Sequence, residues 1–267
     1  MQQEIIAFIG GGNMAEALVR GIIAAGTEPQ QIMVAEPLEQ RRRYLHATYA
    51  VTTVADAAAV VTAARTVILA VKPQVLHAAL EPLAALFTAD KLLISILAGV
   101  TTAALEAIVS PEVAVVRVMP NTPALVGCGA AAMCAGSAAS GDDMERAAAL
   151  LAAVGEVVTV NEAQMDAVTG LSGSGPAYVY TVIEALADGG VLEGLPRDVA
   201  LKLAAQTVLG AAQMVVESGE HPALLRDKVC SPGGTTIAAM QRLEDGGVRA
   251  ALLGAVQRAA ARSRELG

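Results

Sequence analysis

Short apolar runs alternate with helix-type patterns through the first 160 residues of the chain. Each run is almost continuously apolar, which predicts a strand that is buried on both faces of a sheet. The predicted strands are Ile5–Ile9, Ile32–Ala35, Val67–Val71, Leu92–Ile96, Val113–Met119 and Val157–Val160, with Gly127–Cys134 as a further candidate. The predicted helices between them include Glu39–Tyr49, Gln74–Leu86, Thr101–Ile108 and Asp142–Val154. This alternation predicts an α/β fold with a Rossmann-type parallel sheet covered by helices.

The pattern changes after Asn161, beyond which no run has the character of a buried strand. Prolines at first-turn positions and helical spacing predict helices from Pro176, Pro196 and Pro222, and over Thr235–Leu243 and Gly247–Leu266. We therefore predict two domains, a Rossmann domain over residues 1–161 and an all-helical domain over residues 162–267. The second-domain helices are apolar over much of their circumference, which fits either a tight alanine-packed monomer or a subunit interface. We favour the interface, and so a homo-oligomer.

A glycine-rich turn follows the first predicted strand directly. Gly10, Gly12 and Ala15 have the spacing of the dinucleotide-binding fingerprint, and an apolar helical face comes next. In that fingerprint the first glycine permits a tight turn, the second lets the backbone approach a pyrophosphate, and the small third residue lets helix and strand pack closely. The second predicted strand ends at Glu36, where an acid would meet the ribose hydroxyls of the adenosine. A glycine turn that binds nothing is the alternative, but the order of strand, turn, helix and acid favours a dinucleotide site.

Other loops of unusual composition follow the predicted strands, where ligands bind in open α/β sheets. Lys72, in the segment Ala70–Pro73, could hold an anion or be a solvated strand-end lysine. The small residues after Ser95 would let a ring lie against the backbone. Asn121 could meet a nicotinamide carboxamide, or could simply close an Asx turn.

The helical half contains two loops rich in glycine and hydroxyl side chains, Leu171–Pro176 and Val229–Thr236. Free amides and hydroxyls at a helix N-terminus can bind a carboxylate. The alternative is that Ser231 or Thr235 only caps its helix. Because capping needs one such residue and not a cluster, we favour an anion site.

Composition and charge exclude several classes of protein. Hydrophobic residues make up 54% of the chain and charged residues 16%, so it is not disordered. The net charge of −8 argues against a nucleic-acid surface. Three cysteines without metal-ligand spacing indicate reduced thiols in the cytoplasm and no metal site. We expect no signal peptide at the N-terminus, and no membrane helix in the uncharged stretch 118–140, because prolines and glycines interrupt it.

Five motifs together resemble pyrroline-5-carboxylate reductase, in the right order and over nearly the whole chain. The motifs of the cofactor half are Phe8–Ala15, Ala70–Gln74 and Val118–Ala124, and those of the substrate half are Asp166–Tyr178 and Ser231–Thr236. The last two are far more specific than the dinucleotide fingerprint.

This resemblance implies reduction of the cyclic imine 1-pyrroline-5-carboxylate to L-proline, the last step of proline biosynthesis, by NADPH or NADH. It also implies a helical dimerisation domain, a homodimer and often a ring of dimers. By position the implied cofactor contacts are Ile9, Gly10, Gly11, Gly12, Asn13, Met14, Ala70, Val71, Lys72, Pro73, Ile96, Leu97 and Ala98. Glu36 and Asn121 join them on the residue arguments given above. The implied substrate contacts are Glu162, Lys228, Thr235 and Thr236, and the same glycine-rich loop adds Ser231 and Gly234. On chemical grounds Thr236 is the expected catalytic residue, because its hydroxyl can bond the ring nitrogen.

The chain departs from the family pattern near the expected adenosine. Many relatives carry an asparagine where this chain has Asp56–Ala59, so that contact is open. Glu36 would repel a 2′-phosphate, although Arg41–Arg43 could offset its charge, so the choice between NADH and NADPH stays open as well.

Two other functions are alternatives. A hydroxyacid dehydrogenase of similar two-domain build would need a lysine on the interdomain helix after a glycine, and Gly170–Ser174 supplies none. A non-enzymatic dinucleotide sensor would not need the hydroxyl-rich loop that ends at Thr236.

Overall fold

The computed structural model describes residues 4–266. Met1, Gln2, Gln3 and Gly267 lie outside the described residues, and so does the part of the signal-peptide expectation that concerns them. Contacts group the described chain into two compact units. The first comprises the described residues of Met1–Ser174 and Arg258–Gly267, and the second is Gly175–Gln257. The division into domains at residue 161 stays a prediction.

The first unit is built on one eight-stranded sheet. Its strands are β1 (Ile6–Ile9), β2 (Ile32–Ala35), β3 (Thr52–Val54), β4 (Thr66–Leu69), β5 (Leu92–Ser95), β6 (Ala114–Met119), β7 (Gly129–Ala135) and β8 (Gly155–Thr159). Their order is β3-β2-β1-β4-β5-β6-β7-β8. The Rossmann-type fold is confirmed, and β3 is a strand that the sequence analysis missed.

The sheet is parallel through six of its strands, as predicted, and departs from this at the last two. β7 pairs antiparallel with β6, and β8 pairs parallel with β7, so both run against the other six. The short connection 120–128 explains this, because a parallel crossover needs a dozen or more residues.

Helices cover both faces of the sheet in the first unit. They are α1 (Asn13–Ala24), α2 (Glu39–Tyr49), α3 (Ala57–Ala63), α4 (Leu76–Leu80), α5 (Thr102–Val109), α6 (Gly141–Ala152) and the short α7 (Met165–Val168). The single helix predicted over Gln74–Leu86 is wrong. Only α4 is α-helical there, between two 3₁₀ segments, and Pro82 lies in the second of them.

Consecutive residues of β1 pack on opposite sides of the sheet. Ile6 and Phe8 belong to a core cluster that contains Leu18 of α1. Ala7 belongs to another, which contains Val60 of α3. The sheet is therefore buried on both faces, as the continuous apolar runs predict.

The second unit is all-helical and buries little of its own apolar surface. It contains α8 (Gly175–Leu192), α9 (Arg197–Ser218), α10 (Pro222–Val229), α11 (Thr235–Asp245) and the first part of α12 (Val248–Leu266). Its core cluster of buried residues is made of three alanines, Ala187, Ala200 and Ala204. By length and composition alone α9 could cross a membrane, with 11% of its most apolar window buried, which is weak evidence for a span.

Candidate active site

The glycine turn and the loops after β2, β4 and β5 begin side by side, at the carboxyl ends of neighbouring strands. Strand pairing places Ile9 beside both Ala35 and Leu69, and Leu69 beside Ser95. The ladder continues one residue further, since Ala70 N donates to the Ile9 carbonyl at 2.9 Å. The structure thus brings together the residues after these strands, which were predicted to contact the cofactor: Gly10, Glu36, Ala70 and Ile96.

The three glycines of the turn differ in the space around them. Gly10 has φ +98°, and a Cβ there would lie 2.7 Å from the Ala70 carbonyl oxygen. A Cβ on Gly11 would lie 2.8 Å from Cδ1 of Leu45. A Cβ on Gly12 would meet nothing within 4 Å. Gly12 is the N-cap of α1 and has no side-chain cap, so open space adjoins a helix N-terminus, which suits a pyrophosphate.

Glu36 lies against this turn. Its Oε2 accepts the Gly11 N–H at 2.9 Å and its Oε1 accepts the Leu38 N–H at 3.0 Å. Only 8% of the residue is exposed. The acid predicted at the end of β2 is therefore fixed beside the glycine turn by two backbone donors.

The sequence analysis did not identify a polar network between α1 and α2. Arg41 donates to the Gly11 carbonyl at 2.6 Å and to Glu16 at 2.6 Å. Glu16 also accepts the hydroxyls of Tyr44 and Tyr49. Burial would raise the pKa of Glu16, but the hydrogen bonds from Tyr49, Arg41 and Tyr44 outweigh it and lower the pKa below its usual value. Burial and the bond to Glu16 raise the pKa of Tyr49 to about 12.

The remaining predicted cofactor contacts differ in exposure. Lys72 is exposed and begins a 3₁₀ turn with Pro73. Asn13 and Ala98 are exposed, whereas Ile9 and Leu97 are buried in the core. The partly buried ones are Met14, Ala70, Val71, Pro73 and Ile96. A ligand at the carboxyl ends of the strands would meet the backbone, not the side chain, of Ile9 and Leu97.

Asn121 is used within the protein. Its Nδ2 donates to the Ser172 carbonyl at 3.0 Å, and its Oδ1 accepts the Ala130 N–H at 2.9 Å. The residue is 8% exposed. Its amide therefore links the loop after β6 to β7 and to the π-helical turn Thr169–Gly173. A contact between Asn121 and the nicotinamide stays a prediction.

Glu162 accepts hydrogen bonds from α5 and β6. Thr102 donates to it through the backbone N–H and the hydroxyl, and Arg117 donates from 3.2 Å. Burial would raise the pKa of Glu162, but these donors and the charge of Arg117 outweigh it and hold the pKa below its usual value. Burial and the nearby Glu162 charge raise the pKa of the Cys134 thiol to about 11. The sequence analysis missed Arg117, although its charge within the otherwise apolar run of β6 could have indicated a buried ion pair.

A small cavity in the first unit adjoins Ala98. Its volume is about 200 Å³, and its polar lining residues include Thr169, Arg262 and Ser263. Ser263 is buried and donates to Asp166 at 2.6 Å. Among residues 4–266 no group of three or more His, Cys, Asp or Glu side chains could hold a metal ion.

The predicted carboxylate site of the second unit lies at the start of α11. Gly234 is the N-cap, with no side-chain cap hydrogen bond, and its N–H donates to the Ser231 carbonyl at 3.0 Å. The N-cap of α11 is thus Gly234 and not Ser231 or Thr235, the two residues of the capping alternative. Thr235 is exposed and Thr236 is half-buried.

Two further features belong to the same loop region. Gly233, with φ +68°, makes the turn before the helix in a conformation that favours glycine. Lys228 of α10 is bound to the Glu220 carboxylate, with both oxygens 2.7 Å from Nζ.

The glycine turn, its open face and the acid at the end of β2 define a dinucleotide-binding Rossmann unit, the type of domain that holds the cofactor in NAD(P)-dependent oxidoreductases. A family model described as NADP oxidoreductase, coenzyme F420-dependent, matches residues 5–99. A second, described as pyrroline-5-carboxylate reductase dimerisation, matches residues 162–266.

Whole-chain comparisons narrow the class. The chain is 51% identical over 264 residues to a pyrroline-5-carboxylate reductase of Synechocystis sp., covering 98% of each. The structure of a pyrroline-5-carboxylate reductase from Coxiella burnetii matches with a TM-score of 0.95 at 38% identity, covering 100% of this chain and 99% of that one. The Plasmodium falciparum pyrroline carboxylate reductase, with NADP bound, matches with a TM-score of 0.89 at 31% identity, covering 100% and 99%. The chain belongs to the pyrroline-5-carboxylate reductase family, as its motifs predict.

Proposed function

We propose that this chain reduces 1-pyrroline-5-carboxylate to L-proline with NADPH or NADH, the last step of proline biosynthesis. The observation that carries the proposal is the 51% identity, over 98% of both chains, to a relative named for this reaction. The uncapped start of α11 supports it further, because a substrate with a carboxylate needs an anion site.

The cofactor would be held in the first unit, at the carboxyl ends of the strands. The glycine turn Gly10–Met14 leaves space for the pyrophosphate at Gly12, and Glu36 lies where the adenosine ribose is expected. Ala70–Pro73 and Ile96–Ala98, which follow β4 and β5, would line the same site. When bound, the reduced nicotinamide supplies a hydride.

The substrate would be held by the loop at the start of α11. The backbone amides that follow Gly234, including that of Thr235, and the hydroxyl of Ser231 would bind the carboxylate. Thr236 would donate to or accept from the ring nitrogen and so hold the proton there. A protonated imine is already electrophilic, so holding it in place and excluding water is the main task of the protein.

Glu162 and Lys228 stay proposed substrate contacts, and each is held in position by partners within its own unit. Glu162 is fixed by Thr102 and Arg117, and Lys228 by Glu220. A carboxylate beside the site would favour a protonated ring nitrogen, and an ammonium would favour the substrate carboxylate.

We further propose a homodimer, which could assemble into a ring of dimers. The second unit supports this because large apolar side chains on α8 and α9 are exposed, among them Leu186, Leu203, Leu209 and Val216. A bundle whose core cluster is three alanines gains little stability alone, so a second copy would stabilise it. We place the protein in the cytoplasm, bound to neither membrane nor nucleic acid, on the evidence of its cysteines and its net charge.

The test is an absorbance assay at the NAD(P)H band with 1-pyrroline-5-carboxylate. We expect consumption of the reduced cofactor with formation of proline. Hydroxyacids supplied with the oxidised cofactor serve as the comparison. Faster turnover of a hydroxyacid, or cofactor binding without turnover of the imine, would contradict the proposed reaction.

A further inference from the structure

We propose that Glu36 makes this chain selective for NADH over NADPH. The inference rests on the proposed use of a nicotinamide cofactor and specifies which form the first unit accepts.

The position of the carboxylate is the first argument. The Gly11 and Leu38 amides hold its two oxygens at 2.9 and 3.0 Å. Gly11 directly precedes Gly12, whose open face is the proposed pyrophosphate position. A dinucleotide bound there would therefore place its adenosine ribose beside a carboxylate that cannot swing away without losing two hydrogen bonds.

The chemistry of the carboxylate is the second argument. A carboxylate has about four acceptor sites and no donor, and the backbone occupies two of them here. The free sites suit the 2′- and 3′-hydroxyls of NADH, which both donate. The 2′-phosphate of NADPH is an anionic acceptor, so it would gain no hydrogen bond from Glu36 and would be repelled by its charge.

The third argument is that the neighbouring arginines are already engaged. Arg41 is paired with Glu16 at 2.6 Å, which offsets its charge. Arg42 donates to the backbone carbonyl oxygens of residues 36 and 37 at 2.7 and 2.8 Å. Arg43 is paired with Glu39. Each of the three guanidinium groups therefore already has a protein acceptor, and for Arg41 and Arg43 that acceptor is a carboxylate, which offsets the positive charge that a 2′-phosphate would meet.

Calorimetric titration of the full-length protein tests this without turnover. The probes are NADH, NADPH, ADP-ribose and 2′-phospho-ADP-ribose. We expect NADH and ADP-ribose to bind roughly 10- to 100-fold more tightly than their 2′-phosphorylated counterparts, since juxtaposed like charges are strongly unfavourable.

Two substitutions assign the selectivity to Glu36. Glu36→Gln keeps an acceptor for Gly11 and removes the charge, so we expect the ratio of NADPH to NADH dissociation constants to fall about tenfold. Glu36→Asp keeps the charge and withdraws it, so NADH should bind more weakly while NADPH stays disfavoured. Glu112→Gln removes an equal charge from an exposed position just before β6 and should leave the ratio unchanged.

Equal or tighter binding of NADPH to the unaltered protein would overturn the proposal, and so would an unchanged ratio in a folded Glu36→Gln protein. If Glu36→Gln fails to fold, the unaltered protein and Glu36→Asp still decide the question. The proposed reaction fails separately, when selective binding of NADH occurs without imine reduction.

Discussion

Thr102 donates both of its hydrogen bonds to one carboxylate, that of Glu162. Its backbone N–H lies 2.7 Å from Oε1 and its hydroxyl lies 2.5 Å from Oε2. Because Arg117 adds a third donor, Glu162 joins the first turn of α5 to strand β6. The segment after β8 is thereby fixed to the sheet by side chains that are distant in sequence.

Thr102→Val should lower the stability of the protein, because a hydrogen bond to a charged, partly buried acceptor is lost. A bond of this kind contributes about 1.5–3 kcal/mol. Thermal unfolding at fixed protein concentration measures the change. Thr62→Val makes the same chemical change at an exposed position of α3 and should shift stability by less than about 0.5 kcal/mol. Equal effects at both positions would contradict the assignment.

The Glu162 contacts should also make stability depend on pH. The folded pKa of Glu162 lies below its usual value of 4.5, so the unfolded state binds the proton more readily. The stabilisation is therefore complete above about pH 4.5 and is lost as the pH falls through the folded pKa. The stability difference between the unaltered protein and Glu162→Gln should shrink as the pH is lowered in this range. A difference that stays constant in denaturant titrations would refute it.

Gly12→Val should abolish tight cofactor binding while the fold persists. Gly12 has φ −69°, which valine adopts, and its Cβ position is empty. The added side chain would occupy the space proposed for the pyrophosphate and weaken binding by several kcal/mol, where about 1.4 kcal/mol is tenfold in Kd. Cofactor titration measures the loss.

Gly10→Ala is the matched comparison, two residues earlier in the same turn. Its φ of +98° and the Ala70 oxygen 2.7 Å from the new Cβ should make it destabilise the fold itself. Unchanged titration of a folded Gly12→Val protein would disprove the role of Gly12.

Thr236→Val should reduce the rate of imine reduction by roughly 30- to 1,000-fold, because a polar contact of the transition state contributes about 2–4 kcal/mol. Thr235→Val should cost less, since Thr235 is proposed to act mainly through its backbone amide. Steady-state kinetics of both variants make the comparison. Small and equal losses would mean that neither hydroxyl contacts the ring, and that solvent supplies the proton.

Charged residues on α9 should disrupt the proposed dimer. Leu209 and Val216 are 57% and 77% exposed in the single chain, so lysine at both positions would place charge in the interface. Light scattering should show a lower mass for this double variant than for the unaltered protein. Val158→Lys, on the outer strand β8, is the control and should leave the mass unchanged. An active unaltered monomer at micromolar concentration would refute the dimer.

Local signals made much of the fold predictable. β2 and α2 have the predicted bounds, because an apolar run and a charged helix are each defined by adjacent residues. β3 was missed because it is short, lies at the sheet edge and is only partly buried. α3 was missed because an alanine-rich segment has little contrast between its faces.

The contacts of the site depend on packing that no spacing encodes. Glu36 meets Gly11 only because β1 and β2 are neighbours, and the glycine fingerprint anticipates that arrangement. No sequence motif predicts that Arg117 and Glu162, which are 45 residues apart, will pair. The side-chain amide of Asn121 bonds to Ala130 and Ser172, and no pattern in the sequence indicates that these residues lie beside it.

The chain leaves the first compact unit at Ser174 and returns to it at Arg258, within α12. In topological terms the second unit is an insertion, and the last helical turns of the protein complete the domain with which the chain starts. Ser263, which binds Asp166 across 97 residues of sequence, belongs to that closing segment. A chain cut after Ser174 would therefore lack the last segment of the first unit, which begins at Arg258. A shortened protein that contains the whole first unit is obtained by removing Gly175–Gln257 and joining Ser174 to Arg258.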